Sequence, residues 1–561
     1  MRRREAIALL AAPLFAADDN FATFTDVAKA AGLTPPIIYG GVQSKKYILE
    51  TNGCGVAFLD YDNDGWMDIF LGGGSRLEGH PGPTSIRLYR NNRNGTFTDV
   101  NASSWDRAHC LGLRSLCWRL YNDSHEDIFL SCWGANLLYR NNGNGTFTDV
   151  SKECGLAGTE GRWSAGCTFP DYNRDGYFDL FVSEYLEFDL KKTPLPGAND
   201  SCAWKGIPVN RGLKGLPTGR NRLYRNNGPD KQGRITFTDV SEESGVAKIT
   251  GRYGMTAVSA DFDDDGWPDI FVACDSTPSV LYRNNHDGTF TDIGLQAGVA
   301  VNEDDREQAG MGVALGDTRN RSKLDLFKTH FMDDTPVLYS GAGNGIFEDI
   351  TSKAGFGEFT KYVGWGTGFA DFDNDGWQDL FWVNSNVYPE IEKSFPHYKR
   401  ANPRILVRNL RNGRFADYSK RGGPGVTTPH SNCGCAFGAF NNDGNVDVLI
   451  MNMNEPPSLL RNDLKNGNHW LKLKLTGVKS NRSAIGASVY VTVEGRRQRQ
   501  DVLGQSSFYS QNDPRLHFGL GKAMHGDLVD IHWPSGLREV HRNLKANQIL
   551  TLKEGAGEKL S

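Results

Sequence analysis

Asp60-Tyr61-Asp62-Asn63-Asp64-Gly65-Trp66-Met67-Asp68 puts carboxylates at positions 1, 3, 5 and 9 of a short loop, with glycine at position 6. Alternate oxygen ligands converge on one point when the backbone curls around a hard cation, as in calcium loops. Glycine supplies the sharp turn that a side chain would obstruct. The same spacing returns at Asp261, Asp263, Asp265, Gly266 and Asp269, and at Asp371, Asp373, Asp375, Gly376 and Asp379. A fourth copy, Asp171, Asn173, Asp175, Gly176 and Asp179, has an amide at position 3.

The flanks of each loop repeat as well. Gly55-Val56-Ala57-Phe58-Leu59 enters the first loop and Asp68-Ile69-Phe70-Leu71 leaves it. Then come Arg87-Leu88-Tyr89-Arg90, an Asn-Gly turn and Thr96-Phe97-Thr98-Asp99-Val100, which read as a hairpin. Four short strands make one propeller blade. The ninth loop position recurs at Asp68, Asp127, Asp179, Asp269, Asp325, Asp379 and Asp447, one per blade, giving seven blades. The seventh unit ends after Pro457 to Arg461 without its Phe-x-Asp-Val strand, while Phe24-Thr25-Asp26-Val27 is a spare copy. The N-terminal strand is therefore expected to close blade seven and leave no exposed edge. Two insertions break the rhythm, residues 184–221 in blade three and 387–402 in blade six. Long loops on rigid scaffolds often carry function.

From Asn468 the pattern changes to half-buried strands, beginning with Trp470-Leu471-Lys472-Leu473-Lys474-Leu475. The expected fold is all-β: a seven-bladed propeller over residues 18–467, then a small β-sandwich or barrel-like domain over 468–555. Residues 1–17 read as an export signal, with Arg2, Arg3 and Arg4 ahead of an apolar run from Ala6 to Ala16. The route, general secretory or twin-arginine, is left open. The mature chain shows no transmembrane stretch, so the expected location is periplasmic or extracellular. A net charge of -5 gives no reason to expect nucleic acid as a partner, and Arg496-Arg497-Gln498-Arg499 reads as a solvated hairpin face. The ten cysteines match no zinc spacing.

Carboxylates crowded into one loop repel one another, and a divalent ion relieves that repulsion. Four calcium sites are expected, at Asp60, Asp62, Asp64 and Asp68; Asp171, Asn173, Asp175 and Asp179; Asp261, Asp263, Asp265 and Asp269; and Asp371, Asp373, Asp375 and Asp379. Blade seven keeps Asn441, Asp443 and Asp447 but has Ala439 at position 1, making a weaker fifth site. Blade two (Arg119, Tyr121, Asp123, Ser124, Asp127) and blade five (Asp317, Arg319, Arg321, Ser322, Asp325) have lost ligands. In blade five an arginine is expected to stand in for the metal.

The repeats resemble FG-GAP (VCBS-type) blades of integrin-α-like propellers. The C-terminal stretch resembles the ASPIC/UnbV domain through Ile485-Gly486-Ala487, Ser510-Gln511-Asn512-Asp513-Pro514, Leu516 to Gly521 and Trp533-Pro534-Ser535-Gly536. The combination looks like bacterial relatives of cartilage acidic protein. That resemblance implies an exported calcium-binding propeller used in adhesion or matrix interaction, with no established catalysis. It also implies a partner for Cys202 near Asn210, where this chain has no cysteine. The expected function is recognition of an extracellular protein or glycan, with Trp204 and Tyr388 available to pack on a ligand. The alternative is a polysaccharide lyase or hydrolase with its site in the funnel, for which His80, His109, His330, His397 and His430 are the candidate groups. No recognised nucleophile, phosphate-loop or zinc motif surrounds them.

Overall fold

The computed structural model describes residues 21–74, 76, 85–101, 116–117, 120–123, 125–156 and 161–560. The expected export signal, His80, His109, Arg119 and Ser124 lie outside the described residues. Seven four-stranded antiparallel sheets form the blades of a propeller, six of them built from strands taken in chain order. Blade one is Val56–Leu59, Asp68–Leu71, Arg87–Asn91 and Phe97–Asp99. Its first strand is wholly buried, and its last alternates from buried Phe97 to exposed Thr98. The ring closes through the N-terminal strand: Phe24–Asp26 pairs antiparallel with Ser458–Asn462, with Phe24 opposite Asn462.

One pair of residues repeats as a staple. The ninth-position carboxylate accepts the backbone N–H near the start of its own loop and the N–H of an asparagine on the third strand. Asp269 does so from Phe262 at 3.2 Å and Asn284 at 2.8 Å, and Asp379 from Phe372 at 3.2 Å and Asn409 at 2.8 Å. The asparagine amide then crosses to the preceding blade. Asn284 donates to Tyr172 O at 2.9 Å, Asn409 to Thr318 O at 2.7 Å, and Asn91 of blade one to Phe440 O of blade seven at 2.8 Å. Each buried amide thus satisfies carbonyls that would otherwise be stranded, at a cost of about 1–3 kcal/mol each if lost. Blade five lacks the staple because Gly341 stands in the asparagine position, offering Asp325 only its backbone N–H.

The C-terminal unit has two sheets. His469–Thr476 lies between Leu516–Gly521 and Gln548–Lys553, while Ser488–Val493 and His525–His532 are central in a five-stranded sheet. Leu471, Val489, Phe518 and Val529 fill the space between them, as in a sandwich. That core runs on without a break into Phe129, Phe169 and Phe178 of blades two and three. The unit is therefore docked on the propeller, not set apart from it.

A segment of this unit also enters the propeller's axis. Ser507 exchanges backbone bonds with Val313 of blade five at 3.0 and 2.8 Å, and its hydroxyl accepts from Thr367 N of blade six at 3.0 Å. Gln511 bonds Val56 and Phe58 of blade one, and the Asn512 side chain accepts from Phe437 N of blade seven. Ser507, Phe508, Tyr509 and Ser510 are fully buried. A Cβ on Gly55 would fall 1.4 Å from Tyr509 O, so glycine is what lets the segment pass. The innermost strands that line an open channel in a bare ring are here hydrogen-bonded to a plug.

Removing residues 18–30 deletes the closing strand and re-exposes the edge at Ser458–Asn462. Thermal unfolding of that truncation should shift down sharply; an unchanged midpoint contradicts closure by this strand.

Candidate metal centres and the opposite face

The nine-residue loops share one backbone. Position 4 has positive φ in every loop: Asn63 at 57°, Asn122 at 51°, Arg174 at 57°, Asp264 at 63°, Asn320 at 51°, Asn374 at 56° and Asn442 at 54°. Position 6 follows at 85° in Gly65 and Gly376 and 90° in Gly176 and Gly444. Blade five keeps the same turn with Ser322 at 60°, a conformation non-glycine residues enter at a cost. The shape thus outlasts the ligands.

Three loops gather carboxylates tightly. Oxygens of Asp60, Asp62 and Asp68, of Asp261, Asp263 and Asp265, and of Asp371, Asp373 and Asp379 come within 4.8 Å of one another in each group. The fourth expected member of each set is engaged elsewhere. Asp64 pairs with Arg93 at 2.7 Å and Asp375 with Arg411 at 2.5 Å, while Asp269 is held by the staple. In the Asp171 loop the Asn173 amide donates to Asp175 at 2.9 Å, and Asp179 receives Tyr172 N and Asn226 N.

These groups are costly as they stand. Burial, with Asp62 and Asp64 adding repulsion, pushes the Asp68 carboxyl up to about 9. Burial and Asp175 push Asp171 to about 7, and burial pushes Asp261 to about 7. Asp371 and Asp379 rise well above the ordinary carboxylate range through burial and mutual repulsion. Asp171 Oδ1 and Asp263 Oδ1 are buried with no hydrogen-bond donor. Hard oxygen donors, crowded, buried and short of partners, fit a divalent cation. The acidic clusters can hold metal ions.

The depleted loops differ. In blade five, Arg319 and Arg321 reach Asp325 Oδ1 at 3.5 and 3.6 Å, so arginine cations stand beside that acid. They do not bridge the two acids: Asp317 instead accepts the Arg321 and Ser322 backbone N–H groups at 2.8 Å each. In blade seven, Asn441 donates to Asp443 at 2.8 Å and Asp447 is stapled by Phe440 N and Asn462 N.

The C-terminal unit sits directly on these loops. Lys474 Nζ reaches Asp60 at 3.1 Å, and Asn466 and Asn468 donate to Asp373 O at 2.6 and 2.8 Å. Gly521 N donates to Asn374 O at 2.9 Å. Arg499 is buried and binds Asp264 at 2.6 Å and Asp501 at 2.9 Å. The 496–499 run is thus not a solvated face: Arg499 points inward, and a Cβ on Gly376 would lie 2.1 Å from Arg496 Nη2. Behind them, burial alone would raise Asp513, but Arg515 and Lys472 overcome it and hold the carboxyl below its usual range. Glu126, a blade-two residue with no place in the loop pattern, accepts Asp60 N at 2.7 Å.

On the other face the two insertions meet. The blade-three insertion forms a hairpin, Ala203–Trp204 against Ile207–Pro208. Trp204 packs on Tyr398 and Phe395 of the blade-six insertion, with centroids 5.2 and 6.1 Å apart. Lys205 donates to Tyr398 Oη at 2.7 Å and pairs with Asp333 of blade five at 3.1 Å. Cys202 is free and buried beneath the hairpin, and Asn210 is buried near it. Cys132 is disulfide-bonded. Beneath Trp204 a chamber of about 570 Å³ opens toward the axis. None of His330, His397 and His430 lines it. His330 is fully buried, and His430 pairs with Glu455 at 2.7 Å.

The sequence pattern of FG-GAP-like repeats matches residues 60–111, 120–182 and 261–328, and that of ASPIC and UnbV matches residues 477–559. The chain is a β-propeller of FG-GAP-like repeats with a C-terminal ASPIC/UnbV domain. It is homologous to cartilage acidic protein 1, being 29% identical to the Homo sapiens protein over 356 residues, 60% of this chain and 50% of that one. The Mus musculus protein is 28% identical over 356 residues, 60% of this chain and 51% of its own length. The chain thus spans about half the length of the curated relatives it matches. Among solved structures, one described as recognition of non-reducing terminal N-acetylglucosamine by an Agrocybe aegerita lectin superposes with a TM-score of 0.39. It shares 15% identity and covers 74% of this chain and 94% of its own, a likeness too loose to build on. Among the described residues no helix is long and apolar enough to cross a membrane.

The raised carboxyls carry a pH signature. Their native values, about 7 to 9, exceed the unfolded value near 4, so the folded chain binds more protons in between. Without metal, stability from these groups is therefore greatest below about pH 4–5 and is lost as pH rises through the native values. In chelator the melting temperature should fall between about pH 5 and 9, and excess calcium should restore it most at the alkaline end. A metal-free melting temperature that climbs over this range contradicts the assignment.

Proposed function

We propose that this chain is an exported recognition scaffold held in shape by calcium. Calcium occupies the loops of blades one, three, four and six through the sixteen residues named from sequence, with Asn441, Asp443 and Asp447 making a weaker fifth site. Its partner is an extracellular protein or polysaccharide, met on the face where the insertions converge. One observation carries this reading: the ASPIC/UnbV unit covers the metal face and plugs the axis, whereas the insertions of blades three and six join across the other face. A rigid ring with variable loops on one open side is suited to binding.

Metal analysis of the exported chain should return about four calcium ions per molecule at neutral pH, each loop offering the oxygen set such sites use. Screening against matrix proteins and polysaccharides should find retention that Trp204→Ala weakens about tenfold or more, as expected for a central aromatic anchor. New reducing ends or unsaturated products from a retained polysaccharide contradict a pure recognition role.

A further inference from the structure

The chamber on the insertion face has a distinctive lining. Its roof is Trp204, and its inner end is Trp365, which packs edge-on against Phe508 of the plug at 5.1 Å. Tyr185, Tyr253, Phe331 and Tyr388 complete an aromatic wall, with Tyr185 and Tyr253 edge to face at 6.1 Å.

One carboxylate faces this wall. Asp275 accepts the Tyr185 hydroxyl at 2.7 Å and the Ser276 hydroxyl at 2.8 Å. No lysine, arginine or histidine pairs with it among the described residues. Burial raises its carboxyl above the usual range, relieved only by those two hydroxyls. Its charge is felt by Tyr185, Tyr253, Tyr388 and Tyr509, each raised first by its own burial and then by Asp275 or neighbouring groups. Of these phenols Tyr185 touches the acid, and Tyr253 and Tyr388 share the chamber with it. One amide adds a second kind of demand: Asn210 Nδ2 lines the same chamber, is buried, and has no acceptor, whereas the neighbouring Asn52 amide turns to the Tyr185 phenol.

We propose that this chamber binds a small organic cation, its ammonium or quaternary ammonium head held by Asp275 within the aromatic wall and a hydroxyl or carboxylate oxygen of the ligand received by Asn210. A cation over aromatic faces gains most where water is excluded. A half-buried carboxylate with no ion-pair partner is costly; Lys214 lines the same chamber without pairing with it, and the ligand would supply the charge at Asp275 itself. An unpaired buried N–H is also costly, so an acceptor on the ligand satisfies a group the protein leaves open. A neutral sugar would meet the amide and rings but leave Asp275 uncompensated. An apolar ligand would satisfy neither. The volume of about 570 Å³ suits a molecule of choline or betaine size with water around it. The site lies beneath the insertion face and shares only its roof, Trp204, with the rim where a macromolecule would dock.

Titration calorimetry of the calcium-loaded full chain with choline, tetramethylammonium, the neutral isostere 3,3-dimethylbutanol and glucose decides the matter. The expected result is one-to-one binding of choline, tetramethylammonium binding more weakly, and the neutral isostere at least tenfold weaker. Asp275→Asn should weaken choline at least tenfold and Asn210→Ala several-fold, while calcium content and circular dichroism stay as in the parent chain. If Asp275→Asn fails to fold, Phe331→Leu, which removes one half-buried ring of the wall, should show the loss. Equal binding of the isostere, preference for glucose, or no saturable cation binding each overturns the proposal. None of these outcomes bears on calcium content or on macromolecule retention at the rim, so this site and the scaffold role fail separately.

Discussion

Several carboxylates packed into a nine-residue turn and then buried cannot all stay charged without a counter-ion. Asp371, Asp373 and Asp379 are each buried, and among the described residues only Asp373 of the three pairs with a cation, Arg408 at 2.8 Å. A metal ion at such a point does more than bind: it lets the loop hold one shape, and the shape is what the ASPIC/UnbV unit rests upon. Asn466, Asn468 and Gly521 bond backbone oxygens of this same loop, contacts that exist only while the loop keeps its curl. In blade five, where ligand positions hold arginines, the curl persists with Asp317 accepting the Arg321 and Ser322 backbone N–H groups.

The repeats build rigidity from a single economical unit. The ninth-position aspartate joins loop to third strand, and the following asparagine joins blade to blade. Their side chains face inward and are fully paired, so the ring does not depend on the metal for its blade order. The plug adds a second restraint from the axis, bonding blades on opposite sides of the ring to one extended segment. Metal loops, docked domain and plug therefore share one load path, while the insertion face is left to vary.

Much of this was legible from sequence, and the exceptions share a cause. Spacing of Asp, Gly and Asp marked four loops, and the ninth-position aspartate marked all seven, because curling round a point imposes fixed positions. The spare Phe24 to Val27 strand announced ring closure because a missing fourth strand must come from somewhere. The staple was not read from sequence: the recurring Arg-Asn phrase marked the third strand of a hairpin, and the asparagine's crossing to the preceding blade needs the fold. The plug was not legible: Gln505 to Gln511 is short and mostly polar, and its burial comes from threading a channel hundreds of residues away. For the same reason Arg499 read as solvated, since nothing local discloses that Asp264 lies opposite. Glu126 falls inside a decayed loop and serves its neighbour, a role no spacing within one repeat encodes. The meeting of Trp204 with the blade-six insertion likewise depends on ring geometry.

Hydrogen–deuterium exchange of the full chain in calcium and in chelator tests most directly whether the metal loops hold the C-terminal unit in place. The backbone N–H groups of Ser507 and Gln511, bonded to Val313 and Val56, are the reporters. The account predicts strong protection in calcium, with faster exchange at these positions and at Gly521 after chelation, while blade strands such as Asp269–Cys274 stay protected. Unchanged protection of the plug and of Gly521 on complete removal of calcium would contradict it.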